Sequence, residues 1–198
     1  MIASEILELY DAKRKKFQKG EIIFEEGTQP HHYLQIINGE VKMCNFNDAG
    51  REFIQGFFQE GQSFGEPPLF LNRAYPANAI ALTDCELYVV PKINFLELIK
   101  NNNDVSLTVI EYLAQRLHYK SVMAAEISSQ EPEHRLLKLI DYSIKFFKVE
   151  KENDGFPVNF TRQQMADLTG LRVETVIRAI KSLEKKKKIK IIKRKVFR

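Results

Sequence analysis

Among 198 residues there is no tryptophan, and only two cysteines, Cys44 and Cys85. Two thiols so far apart in sequence do not make a zinc motif or an iron–sulfur set. In a reducing compartment they read as ordinary buried or half-buried side chains rather than a redox pair. No run approaches the roughly 18 apolar residues that a membrane helix needs. The N-terminal stretch MIASEILELYDAKRKK carries acids and reads as helical, unlike a secretion signal. These absences predict a cytoplasmic protein with no membrane contact. Histidine is scarce too, at His31, His32, His118 and His134, and no metal or cofactor is expected. What remains is ample for folding: 44% hydrophobic residues over this length bury a good core in one large domain or two small ones.

The charge is divided unevenly. Residues 132–198 hold 18 lysines and arginines against 8 acids, whereas residues 1–131 hold 12 against 18. The overall +4 therefore hides a strongly basic C-terminal third, which favours two domains and a polyanionic partner for the second. Lys185 to Lys188 taken alone read equally as a solvated helix end.

Within that basic third, TRQQMADLTGLRVETVIRAIK (161–181) has the spacing of a helix-turn-helix. Met165, Ala166, Thr169, Leu171, Val176, Ala179 and Ile180 fall where two short crossing helices pack. Gly170 falls where the chain must leave the first helix in a left-handed conformation. Thr161 and Gln164 have capping-box spacing, and Arg162 and Gln163 fall in the first turn, where free N–H groups favour a phosphate. Between the buried positions of the second helix stand Arg172, Glu174, Thr175 and Arg178, residue types that read base edges and grip phosphates. The following KKKKIKIIKRKVFR reads as a basic strand, turn and strand, a small wing.

From Lys19 to Pro91 short alternating segments bounded by glycines predict strands and a closed antiparallel roll. Asn38-Gly39 predicts a type I′ hairpin, and Asp48-Ala49-Gly50 another turn. After Pro91 the chain turns helical in INFLELIKNN and again from about Asp104 to Ser128. There Val109, Leu113, Arg116 or Leu117, Lys120, Met123 or Ala124, and Ile127 recur at three- and four-residue steps, like a coiled-coil seam. Pro132 breaks that helix and supplies a hinge near Ser129 to Pro132.

Three segments, YLQIINGEVKM, FGEPPLFLNRAYPANAIALTDCELYVVPK and GLRVETVIRAIKSLE, together resemble the Crp/Fnr family of bacterial transcription regulators over essentially the whole chain. The resemblance implies an α+β fold with an N-terminal antiparallel, jelly-roll-like β-roll, a long dimerisation helix and a C-terminal winged helix-turn-helix. The corresponding divisions are a cyclic-nucleotide-binding-like sensory roll over 1–103, helix and hinge over 104–131, and a DNA-binding domain over 132–198. It further implies a homodimer on a palindromic site in double-stranded DNA, with RNA polymerase as a partner. Glu174 and Arg178 match the family's base-reading pair, which reads half-sites containing TGA. Val173, apolar where the catabolite-activator branch has a further arginine, shifts the expectation toward TTGA rather than TGTGA.

The effector segment departs from the family pattern. Gly65 and Glu66 match the start of the cyclic-AMP cassette, but its phosphate-holding arginine and hydroxyl positions are taken by Pro76 and Ala77. Proline offers neither charge nor N–H, so a phosphate there would be desolvated without neutralisation. Cyclic AMP is therefore not the expected effector. The pocket holds another ligand or none, and the alternative is a cyclic-nucleotide regulator with a non-standard phosphate site, for which Arg73 is the nearest candidate. Residues 1–30 lack the cysteines of the oxygen-sensing type, and the histidines for a haem read as surface residues. Two other classes remain: a cupin-like metal enzyme, against which adjacent His31 and His32 point to opposite faces of a strand, and a protein-interaction module with a vestigial helix-turn-helix.

Overall fold

The computed structural model describes residues 2–50, 52–129, 131–147 and 149–198, and divides into two compact units, Met1–Ala114 and Gln115–Arg198. After a short helix α1 (Ser4–Leu9), the first unit forms two four-stranded antiparallel sheets. One is ordered β1 (Lys13–Phe17), β8 (Cys85–Pro91), β3 (His32–Asn38), β6 (Ser63–Phe64). The other is ordered β2 (Ile22–Phe24), β7 (Asn78–Ala81), β4 (Glu40–Phe46), β5 (Glu52–Gln59). Inward positions of both sheets, among them Leu34, Ile36, Val41, Met43, Phe58 and Leu87, fill one core. The outer face of the first sheet packs with Leu7, Phe95 and Leu98 in a second. The latter two come from α3 (Lys92–Asn101), while α2 (Glu66–Leu71) lies between β6 and β7.

Several local expectations change here. The stretch after α1, read as helical, becomes β1 from Lys13 onward; four of its five residues are exposed, so it shows almost no apolar alternation. Asn38-Gly39 does not close a paired hairpin, because β3 and β4 belong to different sheets. Gly39, at φ +89°, is the crossing point, and a Cβ there would stand 2.5 Å from the Cβ of Cys85. The Asp48-Ala49-Gly50 turn does join paired strands, β4 and β5, with Gly50 N–H donating to the Asn47 carbonyl at 2.8 Å. Both cysteines are buried and free. Burial, followed by a hydrogen bond with Glu52, pushes the Cys44 thiol up to about 12.

The long helix α4 (Asn103–Ser129) begins in the first unit and ends in the second. Of the seam positions read from the sequence, Leu117, Lys120 and Ala124 are exposed, whereas Val109, Leu113 and Met123 are buried or half-buried within the chain. Val105 and Val109 are buried, and Leu113 packs against the α3 side of the roll. An outward stripe that shares Leu117 and Ala124 with that reading and is otherwise displaced by one residue runs through Leu107, Ile110, Ala114, Leu117, Ser121 and Ala124, all exposed, at alternating steps of three and four. Three large side chains in it, Leu107, Ile110 and Leu117, are 64, 60 and 67% exposed. Among the described residues no helix is long and apolar enough to cross a membrane. The segment between Ser129 and Pro132 includes Gln130, which lies outside the described residues.

The second unit contains α5 (Pro132–Phe146), α6 (Arg162–Thr169) and α7 (Val173–Lys185). Beside them is a three-stranded sheet of β10 (Lys190–Ile192), β11 (Lys195–Phe197) and β9 (Pro157–Val158). Pro132 opens α5, where its missing N–H costs nothing. Leu136, Leu139 and Ile140 line its buried face.

Candidate nucleic-acid interface

Both ends of α6 are fixed by local chemistry. Gln164 N–H donates to Thr161 Oγ1 at 3.1 Å, while Thr161 N–H donates to Gln164 Oε1 at 2.8 Å, a complete capping box. At the other end Gly170 takes the left-handed conformation, φ 67°, and the Arg135 guanidinium of α5 donates to the Thr169 carbonyl at 2.9 Å. Arg135 is buried and sits where a cation complements the negative end of a helix. Its part in holding the pair of helices has no signal in the sequence beyond an arginine on an otherwise apolar face.

On α7, Val176, Ala179, Ile180 and Leu183 are buried at steps of three, one and three. That pattern aims the opposite face at solvent. Arg172, Glu174, Ile177, Arg178 and Lys181 are exposed there, with Val173 and Thr175 half-buried at the shoulder. Glu174 and Arg178, four apart, share a face. Gln163 is differently employed: its amide donates to Asp167 Oδ1 at 2.8 Å within α6.

Thr161 and Arg162 have neighbours in space that their own segment does not single out. A cleft of about 390 Å³ is bordered by Thr161, Arg162, Ile177, Lys181, Ile191 and Arg194. Burial lowers the pKa of the Arg162 guanidinium, and no carboxylate among the described residues offsets that desolvation. Arg194 and Lys193 form the two-residue tip between β10 and β11 with φ 68° and 47°. A tip with two positive φ values ordinarily holds Asn-Gly, so side chains there are strained. This is why the wing tip escapes turn-residue rules. Other cations of the basic third fasten the unit itself: Lys186 bonds Glu133 at 2.7 Å, and Arg198 grips Asp141 at 2.7 and 3.3 Å.

In the roll, Gly65 has φ 76°, and a Cβ there would meet the rings of Phe24 and Tyr75 at 3.0 and 3.1 Å. Glu66, first residue of α2, is fully buried and accepts from the Ser63 hydroxyl. Burial and then the Glu66 charge push the Tyr75 phenol up to about 12. Ala77 is buried in the roll core, whereas Pro76 is exposed and its carbonyl accepts from Asn45 at 2.7 Å. Arg73 is exposed beyond the end of α2. Among the described residues no group of three or more His, Cys, Asp or Glu side chains could hold a metal ion.

Residues 14–102 match the cyclic nucleotide-binding domain family, and residues 134–197 match the Crp-like helix-turn-helix domain family. The chain belongs to the Crp/Fnr family. Among Crp/Fnr relatives, the cAMP-activated global transcriptional regulator CRP of Haemophilus influenzae is 27% identical over 170 residues, 85% of this chain and 76% of its own length. Its namesake in Pasteurella multocida is 25% identical over 170 residues, 85% and 81%. A solved CooA variant from Carboxydothermus hydrogenoformans shares the fold with a TM-score of 0.81 at 14% identity, covering 100% of this chain and 87% of that one. The named relatives are transcriptional regulators, and this Crp/Fnr chain carries the roll and helix-turn-helix of a DNA-binding transcription regulator.

Proposed function

We propose that the chain is a homodimeric, sequence-specific regulator acting in the cytoplasm on promoters with palindromic sites, each half-site containing TGA and closer to TTGA. The exposed Glu174–Arg178 face of α7 carries this reading. A carboxylate accepts from cytosine N4, and an arginine forks onto guanine O6 and N7. Arg172, Val173 and Thr175 flank the pair. Thr161 caps α6, Arg162 and Gln163 present its first-turn N–H groups to a backbone phosphate while the Gln163 side chain stays on Asp167, and Lys181 and Arg194 extend the cationic border beside Arg162. The division into roll (1–103), helix and hinge (104–131) and DNA-binding domain (132–198) assigns sensing, pairing and reading to successive segments.

Pairing is supported by the outward stripe on α4, whose three-four alternation suits a two-stranded seam with a second copy. Two-fold symmetry then sets the recognition helices about 34 Å apart, one turn of DNA. RNA polymerase is the onward partner. Gly65, Glu66, Pro76 and Ala77 border the family's effector position, and an exposed Pro76 beside a buried Ala77 supports an effector other than cyclic AMP. Selection of bound sequences from a random oligonucleotide pool tests this reading. Recovery of an inverted repeat with TGA arms is the expected result, and retention without any inverted repeat would overturn it.

A further inference from the structure

Alternation along β1 places Lys15 on the same side as Phe17, and along β3 it places His32 on the same side as Leu34 and Ile36. Phe17, Leu34 and Ile36 fill the roll core. At one end of the roll, then, the inward positions change from apolar to basic. They border a cavity of about 540 Å³ whose buried floor includes Phe17, Phe24, Leu34 and Tyr75, and whose exposed rim includes Lys15, Glu25 and His32 together with His31, which lies just before β3 and so, contrary to the expectation from strand alternation, borders the same cavity as His32. Gly65, Glu66, Pro76 and Ala77 are not among its lining residues; Phe24 and Tyr75, stacked at 3.6 Å, line it while their rings also close against Gly65.

The rim groups are poised for an anion. Lys15 Nζ lies 4.8 Å from the centre of the Phe17 ring, leaning over the floor. The His32 imidazole is held below its ordinary value by burial first, then by His31 and Lys15, which both stand close enough to act on it. None of the three side chains has an ion-pair partner among the described residues, and Glu25 offsets one charge at most. A cavity of this size with an apolar floor and a few convergent polar groups has the build of a ligand site. We propose that the roll mouth binds a small organic carboxylate, its apolar body on the Phe17–Phe24–Leu34–Tyr75 floor and its oxygens between Lys15, His31 and His32. The bound anion turns the repulsion at His32 into charge-assisted hydrogen bonds and draws a proton onto His32.

The test uses the full chain without DNA, so it stands or falls apart from the DNA-binding reading. Hexanoate and octanoate are titrated against the protein while the four histidine ring signals are followed by NMR, with hexanamide as the neutral match. The expected result is a saturable shift of His31 and His32 but not His118 or His134, a rise in the His32 pKa, and hexanamide weaker by at least about tenfold. Lys15→Gln with His32→Gln, at exposed positions that leave the roll's thermal transition in place, should weaken hexanoate by a similar factor. No saturable shift with either carboxylate, equal binding of hexanamide, or unchanged binding to the double variant would each overturn the proposal.

Discussion

In the roll, Glu66 lies buried beneath Ser63 with its charge toward Tyr33 and Tyr75, whereas in the second unit Glu174 stands exposed on α7 four residues before Arg178. Around Glu66 everything is already answered from within the chain. Around Glu174 the cations divide: Arg135, Lys186 and Arg198 hold the unit's own helices and strands, while Arg162, Lys181 and Arg194 border an open cleft. A carboxylate inside a roll shapes packing, and the same group on a helix face with unspent cations beside it is available to a partner.

Five changes would break or sharpen that contrast. Phe24→Ala should remove about 3–5 kcal/mol from the roll by opening a void beside Tyr75 and Phe64. Calorimetry would then show the first unit's transition moved and the second's unmoved. Leu117→Ala, at the exposed seam, should weaken the dimer by about 2–5 kcal/mol while leaving monomer stability nearly unchanged, as read by sedimentation equilibrium. Arg178→Ala should cost about 1–3 kcal/mol in operator affinity and relax the choice at one base pair, measured with a panel of single-base operator variants. With Arg194→Ala the loss should be smaller and uniform across sequences, and the slope of log affinity against log salt should fall by about 0.9.

The smallest effect concerns acid. Hydrogen bonds from Lys186 and then Ser182 hold the Glu133 carboxyl below the usual glutamate range. A depressed carboxylate stabilises the fold fully above its unfolded pKa of about 4.3 and ceases to do so as pH falls through the folded value. The second unit's melting temperature should therefore drop more steeply below about pH 4.3 in wild type than in Glu133→Gln, and identical slopes would remove this pair from the account.

Helix α7 was legible because its buried positions, Val176, Ala179, Ile180 and Leu183, repeat as an amphipathic helix must. Thr161 with Gln164 and the left-handed Gly170 declared its boundaries. Legibility failed where side-chain type and backbone need diverge. Lys13–Phe17 is a strand held by pairing with β8 rather than by its own alternation. Asn38-Gly39 has hairpin composition but serves a crossing between sheets, a demand set by Cys85 in a distant strand. On α4, two stripes one residue apart both satisfy three-four spacing, and in the first unit only contact with α3 and the roll decides which one is inward. The roll-mouth cavity needs residues from β1, β2, β3, β8 and the turn at Tyr75, so no contiguous motif could announce it.

The guanidinium of Arg135 against the Thr169 carbonyl has a mechanical meaning as well. It works as a rivet: α5 and the end of α6 are joined at a buried point that water does not reach. A displacement of α5 would then pull on the Gly170 corner, from which the chain leads directly into α7. Arg135→Met, similar in size but unable to donate, would leave the cogs in place and loosen the transmission.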